Sequence, residues 1–242
     1  MIFFIGITTG LLIGMVGIGG ILLSPLLSYV LHMDLHLAMA TSSWSFLFTG
    51  VIGTFFYAKK KSISWEKVWW LSLGIVPATL IGARTNVFLP AKFLTIILAI
   101  LIGFSGLHAF IRQSVKNLKP NQIGNFQLIL IGFAVGFGSA LTGTGGPVLL
   151  VPIFLFLQFP ALQSVGVSQA IQLPIAIFAA MGFALYGQID FLMGTQLGLI
   201  QSAGVVFGAL LAHRIAPERL RQIVAFALIG VGILMIGRTI FD

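Results

Sequence analysis

The chain contains no cysteine. That excludes disulfides, thiolate metal ligands and any thiol relay, and it leaves the compartment open. Charge is nearly as scarce. Only 7% of the 242 residues are Asp, Glu, Lys or Arg, where a soluble domain carries about a quarter. The five acidic residues, Asp34, Glu66, Asp190, Glu218 and Asp242, fall at the ends of apolar segments or between them. With no carboxylate inside an apolar run, a carboxylate proton relay within a membrane is not expected. H-E-x-x-H and the nucleotide-binding P-loop pattern are also missing. Neither metalloprotease chemistry nor direct ATP drive by this chain is therefore expected.

What is present is apolar sequence: 58% of the residues are hydrophobic, with a mean hydropathy of +1.10. The bilayer is the solvent that such a composition fits. The net charge of +8 does not point to nucleic acid, because the 13 Lys and Arg lie mostly between apolar segments. Cytoplasmic loops carry such an excess. The first residues lack a basic stretch and a small-residue cleavage site, so residues from Met1 onward are expected to be mature sequence.

Eight apolar segments can be drawn, at roughly 2–31, 36–58, 67–88, 92–111, 123–158, 164–186, 191–213 and 217–238. A helical crossing needs about 20 residues. The first and fifth segments are far longer, and each is interrupted by glycine. The first holds Gly14-Met-Val-Gly17-Ile-Gly19-Gly20, and the fifth holds Thr142-Gly143-Thr144-Gly145-Gly146-Pro147. The two halves repeat at an offset of 126 or 127 residues: Gly17, Gly19 and Gly20 fall on Gly143, Gly145 and Gly146. Pro25 falls on Pro152, with one residue slipped in, and Thr41-Ser42 on Ser168-Gln169. Paired breaks at matching positions of two halves are a pointer to a transporter's binding site.

Positive charge discriminates between two topologies. If all eight segments span, one side holds Lys59, Lys60, Lys61, Lys67, Arg112, Lys116, Lys119 and Arg238, and the other holds five basic residues. If the first and fifth segments each enter and return, Arg214, Arg219 and Arg221 join the richer side, in place of Arg238, and only Arg84, Lys92 and Arg238 oppose them. The second arrangement obeys the positive-inside rule better. The expected fold is thus an all-α integral membrane protein of two homologous halves, residues 1–112 and 123–242, joined by a basic connecting loop at 113–122. The halves form inverted repeats, each a glycine-broken re-entrant helical hairpin plus three transmembrane helices. The competing arrangement is eight full spans as parallel repeats.

The repeated G-x-G-G break followed by an apolar run and a Pro resembles the sulfite exporter TauE/SafE family. So do Ala38–Ser42 and the Tyr186-Gly187-Gln-Ile189-Asp190 stretch. The resemblance covers essentially the whole chain. It implies a transporter or permease of the inner membrane that moves anions such as sulfite or organosulfonates. Many members have three adjacent glycines where this chain has two, and here Pro147 directly follows Gly146.

An anion at mid-membrane must find donors, and a helix N-terminus supplies free N–H groups and a positive dipole end. The candidate substrate-binding residues are Gly17, Gly19, Gly20, Gly143, Gly145 and Gly146 at the breaks. To these are added Thr41, Ser42, Ser43, Thr142, Thr144, Ser168, Gln169 and Gln172, which donate without adding charge. Pro174, inside the sixth segment, is a candidate gating kink. No catalytic residue, metal ligand or cofactor is expected; His32 and His36 flank Asp34 in what reads as a short loop. Arg84 reads as an interfacial residue or as one steering anions inward. The partners expected are a small anionic substrate and the lipid bilayer, with a coupling ion and a second copy of the chain as open additions, and no nucleic acid. The function expected is a secondary transporter or permease. An anion channel of the same architecture and a non-transporting accessory protein are the alternatives.

Overall fold

The computed structural model describes residues 2–17, 19–97, 99–100 and 123–211. The connecting loop at 113–122, the segment at 217–238, His108 and His213 lie outside the described residues. Nine helices are described: α1 (Ile2–Val16), α2 (Gly20–Val30), α3 (Leu35–Lys59), α4 (Trp65–Phe88), α5 (helical at 91–97 and 99–100), α6 (Asn125–Thr142), α7 (Pro147–Phe156), α8 (Ala161–Tyr186) and α9 (Phe191–Leu211). Five of them, α3, α4, α6, α8 and α9, are long and apolar enough to cross a membrane. By contrast α1, α2 and α7, at 15, 11 and 10 residues, are short of the length a crossing needs.

The exterior is apolar, with Phe4, Phe55, Trp65, Trp69, Leu130, Leu192 and Phe207 exposed. The interior holds Thr41, Ser42, Ser45, Ser168 and Gln169, each fully buried, and no charged side chain among the described buried residues. This reverses the soluble pattern and matches a protein whose solvent is lipid.

Both long segments double back at their glycines. Gly17 adopts φ +79°, a left-handed conformation that glycine reaches without steric cost. Beyond it, a β-carbon built on Gly19 would collide with Thr9 O and stand 2.7 Å from Ile13 N, so α2 returns beside α1. In the second half Gly143 turns at φ +64°, and Leu149 Cδ1 lies 2.8 Å from a β-carbon built on Gly138. The repeat is visible in individual hydrogen bonds. Gly17 N donates to Ile13 O at 2.9 Å, and Gly143 N to Ser139 O. The turns into α3 and α8 each carry a positive-φ residue, His32 and Gln158, three residues before the first residue of the helix. Three residues separate α1 from α2 and four separate α6 from α7, because Gly20 is already the first residue of α2 whereas its counterpart Gly146 precedes α7.

Contacts between elements are symmetric under exchange of the halves. α1 lies along α9 as α6 lies along α4, α2 rests on α3 as α7 rests on α8, and α3 crosses α8 directly. Small residues set these pairings by letting backbones approach. Gly10 and Gly14 meet the α9 backbone at Gln201 and Val205, and Gly132 and Gly136 meet α4 at Leu71 and Ile75. Residue numbers rise together in both pairs, so each hairpin arm runs parallel to a span of the other half. α3 and α9 are also parallel, with Gly194 at Thr41 and Gly198 at Ser45. α3 and α8, which occupy equivalent places in the two halves, run antiparallel: Gly50 meets Leu173 and Gly53 meets Gln169.

Asp34 caps α3, its Oδ1 accepting from His36 N at 2.9 Å and Leu37 N at 3.3 Å. That corrects one reading of the sequence. His36 stands in the first turn of α3 rather than in a loop, because the Asp34 carboxylate satisfies the orphan N–H groups at the helix start.

Candidate functional site

The two hairpin tips meet. A β-carbon built on Gly20 would stand 2.7 Å from Thr144 O, and one built on Gly17 would stand 3.1 Å from Pro147 Cβ. Helices α2 and α7 therefore start side by side, deep in the bundle, with Gly17, Gly19, Gly20 and residues 141–148 all buried. At α7 the N–H groups of Gly145, Gly146 and Val148 donate no hydrogen bond among the described residues. Pro147 brings no N–H to a first turn that has no acceptor for one. At α2 the N–H of Gly19 is likewise without an acceptor among the described residues, and those of Gly20 and Ile21 precede any intrahelical acceptor. Leu22 N turns to Gly19 O at 3.3 Å. Two sets of free donors and two positive dipole ends thus face one buried region.

The hydroxyl and amide candidates divide by what they touch. Ser42 Oγ accepts from Ser24 Oγ at 3.2 Å, which also lies 3.2 Å from Gly143 O. Thr142 Oγ1 donates to Gly138 O at 2.7 Å and is 3.1 Å from Thr144 Oγ1. Ser168 Oγ donates to Val165 O at 2.9 Å and lies 3.8 Å from a β-carbon built on Gly17. These four residues, Ser42, Thr142, Thr144 and Ser168, are gathered at the tips. Gln169 Nε2 donates to Ile13 O at 2.9 Å, near the end of α1. Gln172 Nε2 donates to Thr49 Oγ1 at 2.8 Å, in the crossing of α3 and α8. Ser43 Oγ turns back on its own helix to Met39 O at 2.9 Å. Thr41 Oγ1 accepts from Asp190 N at 3.2 Å, away from the tips. Pro174 lies inside α8, one residue before Ile175, whose Cδ1 is in contact range of Gly146.

Three side-chain donors from other helices serve the carbonyl ends of the broken helices. Ile13 O takes Gln169, Gly14 O takes the Tyr57 hydroxyl at 3.0 Å, and Leu141 O takes Asn86 Nδ2 at 2.7 Å. The physical reason is that a carbonyl freed by a helix break has no water to bond in a bilayer, and leaving it unpaired costs about several kcal/mol. The N–H ends receive no such partners among the described residues.

Sequence reasoning missed four residues that the fold brings to this region. Ser24 and Asn86 hold the carbonyls of the second break. Ser139 Oγ is buried with no hydrogen-bond partner among the described residues, 3.8 Å from a β-carbon built on Gly146. The fully buried Phe46 ring touches both tips. The offset in the repeat offered a signal for Ser139 alone, since it is the acceptor equivalent to Ile13.

Two cavities open at one end of the bundle. One of about 540 Å³ is lined by Leu37, Ala184, Gly187, Gln188, Ile189, Asp190 and Phe191. Its neighbour, of about 330 Å³, is lined by Asp34, His36, Leu37, Val87, Phe183, Gly187 and Gln188. They share Leu37, Gly187 and Gln188 and form a vestibule that does not include the tips. His36 Nδ1 is 3.1 Å from Asn86 Oδ1 at its edge. Arg84 is exposed, its guanidinium 5.5 Å from the centre of the Tyr186 ring. No group of three or more His, Cys, Asp or Glu suited to a metal occurs among the described residues.

A family model described as "Sulfite exporter TauE/SafE" matches residues 2–235. The chain is 27% identical to the probable membrane transporter protein YjnA of Bacillus subtilis, over 97% of this chain and 98% of that one. It is 26% identical to the probable membrane transporter protein YunE of the same organism, over 100% of both chains. It is also 24% identical to a probable membrane transporter protein of Methanocaldococcus jannaschii, over 98% and 94%. No solved structure matches the chain.

Proposed function

Because the chain belongs to the sulfite exporter TauE/SafE family, and its relatives are named membrane transporters, we propose that it is a multi-pass secondary transporter or permease for a small sulfur-containing oxyanion. Sulfite, a sulfonate or a similar organosulfonate is the cargo, and the cell inner membrane is the site of action. The anion is held at mid-membrane between the two glycine breaks. The observation that carries this reading is the meeting of two helix N-termini whose N–H groups at Gly145, Gly146, Val148 and Gly19 have no acceptor among the described residues. Burying an oxyanion without donors costs several kcal/mol or more; here donors stand ready, with the Ser139 hydroxyl beside them. The absence of buried carboxylates among the described residues removes a source of repulsion.

The two halves act as inverted repeats, rocking about the shared site to expose it to each side in turn. The antiparallel run of α3 against α8 supports that relation, because parallel repeats would align them. Purified protein in proteoliposomes is expected to take up labelled sulfite or methanesulfonate saturably, above the level of empty liposomes. No flux with either, or with a broad panel of anions, would sink the transport reading.

Orientation has its own test in a chain with no native cysteine. Lys60 and Gln188 lie exposed at opposite ends of the bundle. In intact cells an impermeant maleimide is expected to label Gln188→Cys and to spare Lys60→Cys until the membrane is opened. The reverse pattern overturns the orientation inferred from Lys59, Lys60 and Lys61.

A further inference from the structure

We propose that Phe46 is the residue that occludes the anion site, and that its ring must leave the space between the two tips before an anion can be bound. The proposal rests on the anion reading above and assigns a positioning role to a side chain outside both breaks. A β-carbon built on Gly145 would stand 2.6 Å from Phe46 Cδ2 and 3.0 Å from Cε2. One built on Gly20 would stand 3.1 Å from Phe46 Cζ. Opposite edges of one ring thus touch the two donor-bearing tips, and the ring is 0% exposed. An oxyanion oxygen accepting from an N–H needs a separation of about 2.9 Å, which leaves no room for the ring in the same place.

The position of Phe46 suits a moving part shared by both halves. It lies on α3 close to where that helix crosses α8. Its carbonyl accepts from Thr49 Oγ1 at 3.2 Å, and Thr49 accepts from Gln172 Nε2 of α8 at 2.8 Å. The vestibule ends at Leu37 on the same helix, nine residues before Phe46, about 13 Å along an α-helix. No tip residue lines that cavity, and the ring lies directly against both tips. In the other half the equivalent position is Leu173, which packs on Gly50. The aromatic plug comes from one repeat only.

If the ring must be displaced, the measured affinity is the intrinsic affinity reduced by the fraction of molecules in which it has moved. Shrinking the side chain then tightens binding even as it loosens packing, whereas a merely structural role can only leave affinity unchanged or weaken it. The experiment is equilibrium binding of labelled sulfite to full-length purified protein carrying Phe46, Phe46→Leu, Phe46→Ala or Phe46→Trp, with thermal stability recorded alongside. Affinity is expected to rise through Leu to Ala, by about tenfold for Ala if roughly a tenth of the wild-type molecules are open, and to fall for Trp. Phe46→Leu keeps most of the apolar volume and carries the test if Phe46→Ala does not fold. Wild-type binding with unchanged or weaker binding in Leu and Ala overturns the role of Phe46 and leaves the anion reading intact. No binding by wild type or any variant, with sulfite or methanesulfonate, overturns the anion reading and this proposal with it.

Discussion

Gly145→Val is expected to reduce anion flux in proteoliposomes to the level of empty liposomes. The backbone at Gly145 holds φ +79°, where a β-branched residue is a steric outlier, and its β-carbon would meet the Phe46 ring at 2.6 Å. The turn must re-form, which displaces the N–H groups of Gly145, Gly146 and Val148. A hydrogen bond to a charged group contributes about 1.5–3 kcal/mol. Losing two of them weakens anion binding by roughly 100-fold or more. Gly145→Ala is expected to fall between, since it meets the same backbone strain with a smaller side chain. Flux is to be measured together with elution profile and melting temperature. Wild-type flux in well-folded Gly145→Val protein would show that the second break does not bind the anion.

Gly132→Leu is expected to destabilise the protein without touching the tips. Gly132 on α6 faces the α4 backbone: a β-carbon there would collide with Leu71 O and stand 2.9 Å from Leu71 C. Backbone cannot yield as the end of a flexible side chain can, so the two helices must separate. Overpacking of this kind costs about 1–3 kcal/mol or more, and in lipid close van der Waals contact is a main force between helices. The melting temperature in detergent should fall by about 5–10 °C. Gly124→Ala serves as the control: its surroundings are open, with the nearest atom 4.0 Å away, and its φ of −69° suits any residue. An unchanged melting temperature for Gly132→Leu would contradict the α4–α6 pairing.

Much of this architecture could be read from the chain because it is written locally. A G-x-G-G cluster within an overlong apolar run marks a break, and α1–α2 and α6–α7 break there, at Gly17 and Gly143. Pro147 opens α7 as expected, because its ring suits a first helical turn. The repeat offset was equally legible at the glycines, where Gly17 and Gly143 both turn at positive φ. Other features depend on which helices cross. Nothing near Phe46 in the sequence says that α3 passes both tips, and nothing near Asn86 says that α4 reaches Leu141 O. The same limit applies to the hydroxyl and amide candidates. Their chemistry was legible, but their partners were not: Gln169 satisfies Ile13 O at the end of α1, Gln172 pairs with Thr49 across α3 and α8, and Ser43 and Ser168 turn back on their own helices. The N–H groups left without acceptors among the described residues at the starts of α2 and α7 are backbone, which no side-chain pattern announces.

The most direct test of that account is a structure of the protein with sulfite or methanesulfonate bound at saturation. The expected result is density for the oxyanion between the tips, within about 3 Å of the N–H groups of Gly145, Gly146 and Val148, with the Phe46 ring turned away from Gly145. Density confined to the vestibule beside Gln188 and Asp190, with Phe46 still seated on both tips, would contradict it.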